Sequence, residues 1–280
     1  MTKLSISVSK PYYVPGDIVD GVVQLDVSKT IRVRSISVVS EGAEHTHITV
    51  SSGKHSHTYR EVNPMHQYSA SLSGPAEIPP GTYTYPFRFQ LPTSLLPTYR
   101  GPSAYISYTV SGNADIPFWF DSAQTHELLV TIPHQVVRVN ARPASFTSGT
   151  IGDYSKPAFQ VDLKRSMWFA GEVLDGTISL LRNPANKKIR KADVLLSMLE
   201  FAQARGYHRE TPREVARAEI SGDQLAGGGP IPFRLQVPMD CYSGYNGVYS
   251  RLTWVVRANL DIAWGFDVAG AVEIVVLNAA

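Results

Sequence analysis

His45-Thr46-His47 and His55-Ser56-His57 are the side chains of this sequence whose type and spacing best suit metal chemistry, because neutral imidazoles are good ligands for zinc, nickel and copper. Residues 43–50 and 54–61 are expected to form a hairpin closed by Ser51-Ser52-Gly53, with Gly53 in the left-handed position such loops favour. His47 then faces His57. Side chains alternate with period two, so His45 and His55 point to the same side, and neighbours across the strands stand about 5 Å apart. Four imidazoles would converge on one ion. The plain alternative is a solvated hairpin rich in Ser, Thr and His, in which only Glu44 and Glu61 are at hand to orient the rings.

Two further segments could meet a partner. Leu96-Pro97-Thr98-Tyr99 matches the Leu-Pro-x-Tyr variant of a ligase-recruiting motif, read as an extended polyproline-type segment through Leu96 and Tyr99. Tyr99 recurs later as Tyr245 without the Leu-Pro, so turn formation and packing are the simpler account. In Asp115-Ile116-Pro117-Phe118-Trp119-Phe120-Asp121, alternation puts Ile116, Phe118 and Phe120 on one face. Their later counterparts Ile262, Trp264 and Phe266 are apolar as well, which predicts a core face for both sets. Trp119, whose counterpart is Gly265, is left to anchor a partner or enter a membrane interface, or to pack at a sheet edge.

No catalytic constellation is visible. Cys241 is the only cysteine, which excludes an intrachain disulfide and a Cys-based zinc site and fits a reducing compartment. Gly101-Pro102-Ser103-Ala104 lacks the second glycine of a nucleophile elbow. No enzyme activity and no cofactor are implied. Lys and Arg total 26 against 24 Asp and Glu in 280 residues, so no single-sign field selects nucleic acid. Thr2 to Val8 alternates polar and apolar residues, as a strand does and a signal peptide does not. No apolar run reaches the ~18 residues of a membrane span, and a soluble, cytoplasmic protein is expected.

Period-two alternation dominates the chain, and dense Gly and Pro punctuation, as in Pro15-Gly16, Pro79-Pro80-Gly81 and Gly101-Pro102, supplies turns. The fold class read from this is all-β. Arg213–Ile220 could compete as a helix, but the following glycines stop it and a strand is expected. Residues 136–154 break the alternation and read as a linker between domains at 1–135 and 155–280, part of which could pair as a strand.

An internal repeat organises everything else. Displaced by 146, residues 86–121 lie on 232–267 with 13 identities in 36 positions, among them Pro86/Pro232, Phe87/Phe233, Gly101/Gly247 and Asp121/Asp267. Displaced by 155, Val14–Gly21 lies on Phe169–Gly176, and the two copies share a Gly-acid-x-x-Asp-Gly element. The offset falls by nine between the blocks, which places extra residues of the first copy near His45 to His66.

Tyr13-Val14-Pro15-Gly16-Asp17 with Gly21, then Pro80-Gly81-Thr82-Tyr83-Thr84-Tyr85-Pro86-Phe87-Arg88-Phe89-Gln90-Leu91-Pro92, Ile106–Val110, and Phe169-Ala170-Gly171-Glu172 in the second copy, together resemble the arrestin superfamily. The resemblance runs from about Lys3 to Leu277, and is closer to α-arrestins and the arrestin-like subunit of retromer than to receptor-desensitising arrestins. It implies tandem immunoglobulin-like sandwiches and a non-enzymatic adaptor or scaffold. Implied partners are proteins, such as cargo tails and sorting or scaffold components, with peripheral membrane association compatible. In receptor-desensitising arrestins a strand with a phosphate-sensing lysine pair precedes the segment equivalent to Lys3–Lys10. This sequence starts at that segment, and only 13 residues follow Asp267, so neither a phosphate-sensing latch nor a ligase-recruiting tail is expected. A metal-responsive protein and a sporulation-control type of regulator are the alternatives. The mechanism that needs least beyond general physics is addition of a partner's extended segment to an exposed sheet edge.

Overall fold

The computed structural model describes residues 2–53, 55–117, 122–132, 142–148, 157–183, 188–265 and 267–278. Alternation accounts directly for the strands. In Ser35–Ser52 every even-numbered residue from Ile36 to Ile48 is buried and every odd-numbered one is not, the signature of a strand with one face on a core.

The chain forms two compact units. The first comprises Met1–Ile132 with two short returns of the later chain, Ala202–His208 and Gly247–Ser250; the rest is the second. Strands of the first are β1 (Lys3–Val8), β2 (Ile18–Val27), β3 (Ile31–Val33), β4 (Ser35–Ser52), β5 (His55–Ser73), β6 (Ala76–Ile78), β7 (Gly81–Gln90), β8 (Tyr99–Arg100), β9 (Ala104–Asp115) and β10 (Ser122–Leu128). They build a sheet β1-β2-β7, a sheet β10-β9-β4-β5 with β8 paired to β9, and a small β3-β6 ribbon. Val19, Val23, Leu25, Ile36, Val38 and Val110 are wholly buried in this unit.

Then come β11 (Ala144–Thr147), β12 (Phe159–Leu163), β13 (Met167–Phe169), β14 (Val173–Leu180), β15 (Ile189–Ala204), β16 (Tyr207–Ser221), α1 (Gly222–Ala226), β17 (Pro230–Gln236), β18 (Tyr245–Asn246), β19 (Ser250–Ile262) and β20 (Val268–Leu277). The sheets are β11-β12-β14-β17 and β13-β20-β19-β15-β16, with β18 paired to β19. The core of the second unit gathers Trp168, Leu174, Val194, Trp254 and Val256. The fold is all-β. Residues 213–220 lie in β16, as the glycines after them indicate, and α1 is a single turn capped by Ser221 and Gln224.

The repeat explains its own glycines. Gly21 pairs with Phe87 and Gly176 with Phe233, and a Cβ at either would run into that phenylalanine ring and a neighbouring strand's carbonyl. Gly16 and Gly171 turn the chain at φ of 90° and 81°, where any other residue is strained. The first copy's extra residues lie in the β4–β5 hairpin, 18 and 19 residues long against 16 and 15 in β15 and β16. β11 lies inside the segment expected to be a linker.

Candidate functional site

The sequence offset of 155 maps β1 onto β12, and the two strands sit at the same place in their sheets, next to β2 and β14. They differ in what lies beyond them. β12 is covered by β11, antiparallel, with Phe146 opposite Val161 and Ala144 opposite Leu163; among the described residues no strand lies beyond β1 in its sheet. Val161 and Leu163 are 0% and 2% exposed, whereas their counterparts Ile6 and Val8 are only half-buried. The third pair, Leu4 and Phe159, is buried in both.

The hydrogen-bonding groups of the β1 edge follow from one bond. The Ser9 N–H donates to Asp20 O at 2.9 Å, which makes Ser9–Asp20 a hydrogen-bonded pair. Strict alternation in an antiparallel ladder then turns the N–H and C=O of Ser7, Ser5 and Lys3 toward β2, and those of Leu4, Ile6 and Val8 outward. In the second unit the Ser148 N–H donates to Phe159 O at 3.1 Å. The equivalent outward groups of β12 are therefore the ones β11 uses.

Proline separates this edge from four others. β5, β7, β16 and β17 hold Pro64, Pro86, Pro212 and Pro230 with Pro232, whereas β1 and β10 hold none. A proline offers no donor to an incoming strand, so it blunts an edge. β1 and β10, the ends of the first unit's two sheets, are neighbours. Where they run out, the Tyr13 N–H donates to Leu129 O and the Thr131 N–H to Tyr13 O, both at 2.8 Å, and the adjacent Tyr12 and Leu129 side chains are exposed. Lys10 closes the turn below by pairing with Asp17 at 3.0 Å.

The histidine site expected from sequence is not assembled. The β4–β5 hairpin closes between Ser52 and His55, so His57 stands opposite Val50 and His47 opposite Arg60. The expected partners are three residues out of register, and an odd shift in a period-two strand reverses faces. His45 and His47 are on one side of the sheet; His55 and His57 are on the other. His45 stacks on Tyr105 at 4.4 Å between ring centroids, and His57 packs edge-on against Tyr59. Among the described residues no three His, Cys, Asp or Glu side chains converge as a metal site would need.

Leu96 and Tyr99 are placed in packing. Tyr99 is 4% exposed and pairs as β8 with Ile106, Pro97 and Thr98 are buried, and Leu96 lends its carbonyl to the Tyr108 hydroxyl at 2.8 Å; the Leu-Pro-x-Tyr segment is used in packing. Trp119 lies outside the described residues, with Phe118 and Phe120. Trp264, expected in the core, is instead 92% exposed, at a φ of 56°, in the turn after β19. The alternation that predicts its burial ends with Ile262, which is buried.

Glu44 is the polar residue whose role spacing did not reveal. It faces the core of β4, wholly buried. Its carboxylate accepts the N–H groups of Val248, Tyr249 and Ser250 at 3.0, 2.9 and 2.7 Å, the Ser250 hydroxyl at 2.8 Å and the Asn63 amide at 3.2 Å. A Cβ on Gly247 would collide with that carboxylate. All these residues belong to the first unit. Burial also depresses the pKa values of His45 and His66 below the usual histidine range, and raises the Cys241 thiol to about 11, so that buried thiol stays protonated and unreactive at neutral pH.

Residues 2–137 match the family model of the arrestin (or S-antigen) N-terminal domain. Arrestin domain-containing protein A of Dictyostelium discoideum is 21% identical over a 295-residue alignment that takes in 95% of this chain and 50% of that protein. Arrestin domain-containing protein 1 of Rattus norvegicus is 26% identical over 115 residues, 41% of this chain and 26% of that protein. The chain thus spans half or less of the relatives it matches. Their similarity, the N-terminal family match and the repeated all-β architecture agree with the motifs around Gly16 and Pro86–Pro92: residues 2–137 carry the arrestin N-terminal domain pattern, and the chain is similar along 95% of its length to an arrestin domain-containing protein.

Proposed function

We propose that this protein is a non-enzymatic adaptor that captures extended segments of protein partners by adding them as a strand beside β1. The observation that carries this reading is the half-buried state of Ile6 and Val8 at an edge whose counterpart is sealed by β11. An incoming segment would bond the outward N–H and C=O groups of Leu4, Ile6 and Val8, each bond contributing about 1 kcal/mol net, and would finish burying two apolar side chains. Membrane-protein sorting is the setting that the family resemblance suggests for such an adaptor. Among the described residues no helix is long and apolar enough to cross a membrane.

The test is selection of binders from an unbiased heptapeptide library on the whole chain, followed by rebinding to an Ile6→Pro variant. Proline at Ile6 removes an outward N–H and leaves the β1–β2 ladder its bonds. Loss of most selected peptides is expected. If most bind the variant as well as the wild type, capture at β1 is wrong.

A further inference from the structure

Resting on that reading, we infer the chemistry of the captured segment from β11, which fills the equivalent place in the second unit: it runs antiparallel to β1, faces Ile6 with an aromatic side chain, and carries a hydroxyl residue two positions later.

Three observations support this. Phe146 is opposite Val161, the counterpart of Ile6, and it enters the core of its unit, meeting the Phe159 ring edge-on at 6.5 Å. Ser148, two residues on, is buried and accepts the backbone N–H groups of Ala158 and Phe159 on its hydroxyl at 2.8 and 3.2 Å; the counterparts of those donors are Lys3 and Leu4. Between them Thr147 stays exposed, and Ser145, just before Phe146, is exposed opposite Asp162. The side chains that matter are therefore one aromatic and one hydroxyl, and no acidic or phosphorylated residue takes part.

The first unit differs from its template at one place that the inference must accommodate. β20 passes β11 at Gly270, where a Cβ would come within 2.8 Å of Thr147 O and 3.1 Å of Phe146 Cδ2. Gly270 pairs with Ala258, and the corresponding pair in the first unit is Gln124 with Gly112. Gln124 is exposed on β10, so an arriving aromatic has less room beside β1 than Phe146 has beside β12. Removing that side chain should open the edge.

The probe is the chain's own heptapeptide of residues 142–148, Arg-Pro-Ala-Ser-Phe-Thr-Ser, fluorescently labelled and titrated into the whole protein. Saturable binding is expected that Ile6→Pro abolishes. N-methylation of the peptide's Phe amide should also abolish it, which tests strand pairing without altering the protein. Replacing that Phe with Ala should weaken binding roughly tenfold or more, the equivalent of burying one aromatic ring; Gln124→Gly should tighten it by roughly threefold. If the Ala peptide binds as well as the Phe peptide and remains sensitive to Ile6→Pro, the aromatic requirement falls while capture at β1 stands. If binding survives both Ile6→Pro and N-methylation, the peptide is displacing β11 or sitting elsewhere, and the inference is overturned. If this peptide fails to bind while library peptides bind in an Ile6-dependent way, β11 is the wrong template. If neither set depends on Ile6, the adaptor reading fails with it.

Discussion

The two units share two strand orders, β1-β2-β7 with β12-β14-β17 and β10-β9-β4-β5 with β20-β19-β15-β16, and differ most usefully by four residues. β11 covers β12 in the second; among the described residues nothing in its sheet covers β1 in the first. With Phe146 in place, Val161 and Leu163 are sealed and the edge is spent on stability. Without such a strand, Ile6 and Val8 keep apolar surface in water beside outward backbone groups that no described strand pairs, which is an unfavourable state that a partner can relieve. One repeat therefore shows what the other can bind.

The strongest way to break that comparison is to remove the cover. Phe146→Ala should destabilise the second unit by about 3 kcal/mol, at the low end for a buried aromatic because β11 is short and can readjust. Hydrogen exchange read by peptide should show β12 and β20 losing protection while β2 and β7 do not change. If Ile6→Ala, at the matching half-exposed position, costs as much, the two edges are equivalent and the argument for capture is lost.

A smaller effect sharpens the comparison at a position both copies share. Glu44 and Glu200 are 156 residues apart, as are the buried pairs Ile36 and Ala192 or Val38 and Val194, so a core-facing carboxylate occurs in β4 and again in β15. Glu44→Gln leaves one carboxamide oxygen for donors that now share two, and should cost about 2 kcal/mol in the first unit, read from its urea midpoint and from exchange at residues 248–250. Ile6→Ala follows at about 1 kcal/mol, since a half-buried side chain loses only part of the transfer energy of a core residue. Insensitivity to Glu44→Gln would mean that loop 247–250 is held by other contacts.

The sequence makes much of this legible, for reasons that differ by residue. Alternation in 35–52 shows β4, and the repeated Gly-Phe pairs locate both copies of one sheet, because period and glycine geometry are local properties. Register is not local. The distance from His47 to His57 depends on whether the hairpin closes after Ser52 or after Val50, and a shift of an odd number of residues turned a four-imidazole site into two pairs on opposite faces. Alternation extended past Ile262 predicts a buried Trp264, but the chain turns there, and period two has no meaning in a turn. The β1 edge is not legible in the sequence because openness is a property of what is missing beside a strand, and Ile6 and Val8 read in sequence like any core residues. Only the paired copy, with Phe146 inside a segment that looks like a linker, exposes it.

Acid distinguishes the units by the least amount and through a single residue type. The described histidines, including His208 at the β15–β16 turn, all fall in the first unit. His66 is buried, its Nε2 3.0 Å from the Ser40 hydroxyl, which in turn donates to Thr109 O at 2.9 Å, and its ring stacks on Phe89 at 5.6 Å. Burial lowers its pKa below the reference value of 6.5, so the unfolded chain takes up a proton before the folded one does. The stabilisation from neutral His66 is then complete above the unfolded pKa, and is lost as pH falls below it toward the depressed folded value. Half-buried His45, with the same direction of shift, adds to this. Urea unfolding followed by hydrogen exchange at about pH 7.5 and about pH 5.5 should show the midpoint of the first unit falling further than that of the second. His66→Gln, which keeps a hydrogen-bonding group near Ser40 but does not titrate, should reduce the difference. An unchanged difference in that variant would assign the acid sensitivity to carboxylates, which both units possess, and remove histidine from the contrast between them.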